Sequence, residues 1–93
     1  MNSKQRKTLE AIFSRPTPKN LPWNDIESLL KAVGCKVTEG EGSRVSFRFI
    51  LIREDKSTEV FREDFHRPHP GKEAKTYQVE NARKFLASMG KLP

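Results

Sequence analysis

The sequence predicts an α+β domain of two layers, with helices packed on one face of a small antiparallel sheet. Three observations predict it. Apolar residues recur at helical spacing in three segments: Leu9, Ile12 and Phe13; Ile26, Leu29, Leu30 and Val33; and Val79, Ala82, Phe85, Leu86 and Met89. Between the second and third, Arg44 to Arg53 alternates apolar and polar residues at the period of a strand. Turn residues at Glu39-Gly40-Glu41-Gly42 and Glu54-Asp55-Lys56-Ser57 divide that region into three strands. With 93 residues the chain has room for one modest core, since a domain of this size buries roughly 60–65% of the surface its unfolded form exposes.

The elements follow in order. Ser3 is placed to cap a first helix that reaches about Ser14 and is ended by Pro16 and Pro18. Arg15 to Pro22 holds three prolines and reads as an extended connector. Pro22 stands at the entrance of a second helix from Trp23, whose ring is expected to close the core over the first turn. Gly34 stands where the left-handed residue after a helix is wanted. Cys35 to Thr38 reads as a short strand. In the central strand Val45, Phe47, Phe49 and Leu51 point one way, Ser46 and Arg48 the other. Ile50 and Ile52 break this alternation, so the far end is expected to be covered on both faces or to meet a partner. Thr58 to His66 returns as a third strand carrying Val60, Phe61 and Phe65, with Arg62-Glu63-Asp64 disturbing its phase as a bulge would. The last helix runs from about Thr76 to Met89 and stops at Gly90.

Composition narrows the partners. Net charge is +6 and the pI about 9.8, which suits a small domain that meets a polyanion: nucleic acid, an acidic protein or anionic lipid. A single cysteine, Cys35, excludes an internal disulfide framework and a multi-thiolate zinc site. No uninterrupted apolar run follows Lys4, Arg6 and Lys7, so neither a signal peptide nor a membrane span is expected, and the cytoplasm is the expected compartment.

Chemistry concentrates in Phe65-His66-Arg67-Pro68-His69-Pro70-Gly71-Lys72-Glu73-Ala74-Lys75-Thr76. Both histidines lie there, and histidine is the side chain suited to proton transfer near neutrality. Lys72 and Lys75 precede a helix whose first N–H groups already favour anions. No acidic or thiol partner stands at ligand spacing from His66 and His69, so no metal site and no cofactor are expected.

Three local motifs carry a resemblance: Ile26-Glu27-Ser28-Leu29-Leu30-Lys31-Ala32-Val33-Gly34, Gly42-Ser43 before the central strand, and His69-Pro70-Gly71-Lys72-Glu73 before the last helix. With the element order, they make residues 20 to 92 similar to the HicA family of bacterial toxins, small endoribonucleases that cleave messenger RNA. The resemblance implies the α-β-β-β-α fold shared with double-stranded-RNA-binding domains. It implies a HicA-like domain over residues 20–93 and an added N-terminal helix and connector over 1–19. It also implies a HicB-like antitoxin partner. In family members the glycine-serine pair is usually followed by the catalytic histidine, and here that position is Arg44. Arginine stays protonated at any accessible pH and is no ordinary general base.

Metal-free RNA cleavage requires a group to take the 2′-hydroxyl proton, a group to protonate the leaving 5′-oxygen, and positive charge for the phosphorane. His66, His69 and Arg44 are the candidates for these roles. Ser43, Arg44, Arg67, Lys72 and Lys75 are the candidate RNA-binding residues. Two readings without catalysis keep the same fold: an RNA-binding module, and a domain whose basic face docks an acidic protein.

Overall fold

Asn2, one residue earlier than expected, caps the first helix of the computed structural model, which describes residues 1–93. The Asn2 side chain accepts the Gln5 N–H at 2.8 Å, and Gln5 Oε1 accepts the Asn2 N–H at 2.9 Å. This reciprocal capping box makes Asn2 rather than Ser3 the better cap. Six elements follow: α1 (Ser3–Ile12), α2 (Trp23–Ala32), β1 (Lys36–Glu39), β2 (Arg44–Ile52), β3 (Thr58–His66) and α3 (Thr76–Ser88). The fold is α+β, and its last five elements have the α-β-β-β-α order of double-stranded-RNA-binding domains.

One core serves the whole chain. Leu9 and Ile12 of α1 are buried in the same cluster as Ile26, Leu29, Leu30, Val79 and Leu86, so α1 packs on the core and is not a free arm. Arg83 of α3 holds it there, donating to the Ile12 carbonyl at 2.8 Å and to Thr17 Oγ1 at 2.9 Å. Trp23, Phe47 and Phe65 form an aromatic triangle with centroids 5.2 to 6.5 Å apart, which joins the start of α2 to the sheet. The connector is also tied in. Trp23 N–H donates to the Lys72 carbonyl at 2.9 Å, and Ala74 N–H to the Leu21 carbonyl at 2.8 Å.

The sheet has the order β1-β2-β3, antiparallel throughout. β2 and β3 pair without interruption from Arg44↔His66 to Ile52↔Thr58. The expected bulge is absent. The phase of β3 is disturbed because Glu63 occupies an inward position opposite Phe47, while Val60 lies on the outer face opposite Ile50. Directly paired residues share a face, so Arg44, Ser46, Arg48, Ile50 and Ile52 face outward with their partners. The inner face carries Val45, Phe47 and Phe65 into the core. The far end of the hairpin is not covered by the chain: Ile52 is 69% and Val60 58% exposed.

Charge is sorted between the two faces. Outward strand positions hold Lys36, Arg44, Arg48 and Arg62 against one carboxylate, Asp64. Inward positions hold Glu39, Glu59 and Glu63 and no cation. Burial, with Asp64 next to it, raises the Glu63 carboxyl above its ordinary value. A raised carboxyl costs no stability below its unfolded value and does so once the pH has risen through the folded one. Glu63→Gln is therefore expected to raise the melting temperature at pH 7 and to leave it unchanged at pH 3. Thermal unfolding at the two pH values checks this.

Candidate active site

The site grows from the turn between β1 and β2. Gly40 N–H donates to the Arg44 carbonyl at 2.9 Å, and Arg44 N–H to Glu41 at 3.1 Å. A Cβ on Gly40 would lie 3.0 Å from Arg44 Cγ, so the glycine leaves room for the Arg44 stem. Opposite Arg44 across the ladder stands His66, on the same outward face. Directly opposed residues have Cβ atoms about 4.5–5.5 Å apart. Ser43 Oγ lies 3.4 Å from His66 Nδ1, and Arg67 N–H donates to the Ser43 carbonyl at 2.8 Å, extending the β3 pairing past the strand end. In the tautomer whose Nδ1–H is directed at Ser43 Oγ, Nε2 is the acceptor nitrogen of the ring.

Gln78, buried on α3, joins this rung to the helix start. Its Nε2 donates to the His66 carbonyl at 2.6 Å, and its Oε1 accepts the Lys75 N–H at 2.9 Å. Lysine offers no acceptor, so the N-terminal cap of α3 rests on Gln78 and not on the Lys75 side chain. Gln78→Leu is expected to lower stability by about 2 kcal/mol, because it strips a carbonyl and an N–H of their partners. Urea unfolding measures the loss.

Arg67 is occupied within the fold. Its guanidinium donates to Glu27 at 2.7 and 3.1 Å and to Glu39 at 2.6 and 2.7 Å. Hydrogen bonds from Arg67 hold the Glu39 carboxyl below its ordinary value, and those to Glu39 and Glu27 hold Arg67 fully protonated. Glu27 is buried and also accepts the Trp23 indole N–H. Arg67 thus fastens the loop after β3 to α2 and β1, whereas Arg44, Lys72 and Lys75 form no ion pair.

Among the residues singled out from sequence, Ser43, Arg44 and His66 stand together. His69 is exposed and lines an open hollow with Gly42, Ser43 and Pro68. Lys72 lines the adjoining hollow with Trp23, Asn24 and Gly71, and Lys75 is exposed at the start of α3. Asp64, next along the outer face, accepts from Ser46 Oγ at 2.6 Å and Arg62 Nε at 3.0 Å, and these bonds hold its carboxyl low. Burial pushes the Cys35 thiol up to about 11, which makes it unreactive. His, Cys, Asp and Glu side chains nowhere gather in threes that would hold a metal ion. Sequence reasoning missed Gln78, Glu27 and Glu39; the three-residue spacing of Lys75 and Gln78 was the one local signal.

The class that fold and site define is a small basic domain of double-stranded-RNA-binding topology, with a histidine and an arginine paired at one end of its sheet. The sequence model of the family described as HicA toxin of bacterial toxin-antitoxin matches residues 23–86, more than half of the chain. The chain belongs to the HicA toxin family, and with it to the toxins of bacterial toxin–antitoxin systems. No curated protein and no solved structure matches it. No helix is long and apolar enough to cross a membrane.

Proposed function

We propose that the chain is a cytoplasmic toxin that cleaves messenger RNA without a metal ion and is neutralised by a HicB-like antitoxin. The observation that carries this reading is the register Arg44↔His66. It sets an imidazole on the same face as position 44, one strand away, and position 44 is where the family usually has its catalytic histidine. In the proposed reaction His66 Nε2 takes the 2′-hydroxyl proton, and the 2′-oxygen attacks phosphorus. Arg44 bonds the non-bridging oxygens as charge builds on the phosphorane. His69, entering as the imidazolium, protonates the 5′-oxygen as the P–O5′ bond breaks, leaving a 2′,3′-cyclic phosphate and a free 5′-hydroxyl. Lys72 and Lys75 bind flanking phosphates, aided by the start of α3.

Arg44 in place of the family histidine favours a second reading, in which RNA is bound but left intact. Incubating the purified chain with RNA in excess chelator separates the two. Discrete products ending in cyclic phosphate support cleavage. Intact RNA, with binding that weakens steeply in salt, supports the second reading.

A further inference from the structure

We propose that single-stranded RNA lies along the outer face of the sheet, with Lys36, Arg48 and Arg62 as a phosphate-binding row beyond the Arg44–His66 pair. The register brings these three cations side by side, Lys36↔Arg48 and Arg48↔Arg62, one from each strand. Like charges directly opposed in a sheet are destabilising, so the fold holds the row at a cost that a polyanion would relieve. Lys36 and Arg48 form no ion pair, and Arg48 Nε is shielded from solvent without a partner. Arg62 shares Asp64 with Ser46, and that is the one carboxylate among the outward positions of the strands. This subsite rests on the reading that the chain takes RNA, and it adds residues that neither the helix start nor the histidine loop supplies.

Position favours a single strand over a duplex. The row lies four residues along β2 from Arg44, about 13–14 Å at the rise of a strand. Arg44 and the row thus lie along one strand direction on the outer face, with Ser46 and Asp64 on the rung between them. Immediately beyond the row, Ile50 and Val60 pair on the same face, 43% and 58% exposed, and offer apolar surface to an unstacked base. Duplex RNA is contacted across its grooves by helix ends and loops, whereas a flat basic face with adjacent apolar surface suits an extended strand.

The test uses the full chain and a labelled single-stranded 2′-O-methyl RNA of about a dozen nucleotides, read by anisotropy across a salt series. Such RNA lacks the 2′-hydroxyl nucleophile, so binding is read independently of cleavage. Lys36→Gln and Arg48→Gln are each expected to reduce the salt slope by about 0.7, with weaker binding, while Arg48→Lys keeps the slope. Lys36 is exposed, so its variant reports even if Arg48→Gln fails to fold. An unchanged slope in Lys36→Gln and in any folded Arg48→Gln would overturn the proposal. So would tighter binding of duplex RNA, or capture of an acidic polypeptide with no RNA binding. If the slopes fall as expected but unmodified RNA stays intact, the row stands and the cleavage reading fails.

Discussion

Arg67→Ala is expected to destabilise the protein by about 3 kcal/mol, the largest loss among its surface-reaching residues. Removing one partner of a buried ion pair costs about 3–5 kcal/mol, because the other charge is left behind. Glu27 is that charge, 8% exposed, and without Arg67 it keeps only the Trp23 indole N–H. Water already reaches a third of the Arg67 side chain, which sets the loss at the low end of the range. Replacing the exposed Glu39 instead is expected to have a small effect. Arg67→Ala combined with Glu27→Gln should lose less than the sum of the two, since the stranded charge is gone. Urea unfolding with an unchanged slope measures all of these; a loss for Arg67→Ala below about 1 kcal/mol would show that water solvates Glu27 well enough. Acid gives a further check. The Glu39 carboxyl is held below its ordinary value, so its contribution is present above about pH 4.5 and fades as the pH falls through the lowered folded value. The wild type should lose that contribution on acidification, and Arg67→Ala should lack it at every pH.

His66→Ala is expected to reduce RNA cleavage by about 10²–10⁴, the range for removing a general base, with stability nearly unchanged. The ring is exposed, and its one polar contact is Ser43 Oγ at 3.4 Å. Arg44→Ala should cost about 10²–10³, as removal of a charge-stabilising donor does. Arg44→His in the His66→Ala background asks which strand carries the base. Recovered cleavage would mean that the two sides of one rung are interchangeable. Initial rates on a labelled RNA in chelator measure each variant, with growth arrest on expression as a second readout. Full activity in His66→Ala would remove this histidine from the mechanism.

Much of the frame was legible in the chain because it depends on local signals. Thr58 to His66 was bounded by a polar turn and a proline-rich loop, and the third strand has those limits. The start of α3 at Thr76 followed from apolar spacing. At the first helix, Asn2 and Ser3 both suit a cap, and Gln5 three residues after Asn2 decided between them. The bulge was inferred from a charged triplet whose middle member, Glu63, turned out to face inward. Arg67 beside two histidines read as a phosphate ligand. Its partners are 28 and 40 residues away in sequence, and no local pattern reports a tertiary pair. The cationic row was equally hidden, because its members come from three strands and meet only once the register is fixed.

The Arg67 tie has a consequence for how the hairpin chooses that register. Sliding β3 by two residues keeps every side chain on its own face. It would also set Asp64 opposite Arg48 and Phe65 opposite Phe47, a pairing that the strands' own charges would prefer. At the closed end the turn opposes this register, through the Arg53 N–H on the Ser57 carbonyl and the Lys56 N–H on the Arg53 carbonyl. At the open end the Arg67 clamp on Glu27 and Glu39, the Arg67 N–H on Ser43, and Gln78 on the His66 carbonyl oppose it too. The sheet is therefore locally frustrated on its outer face and aligned jointly by its own turn and by contacts to other elements. An isolated peptide of β2 and β3 should populate the slipped pairing beside the native one, and docking of α2 and α3 should remove it.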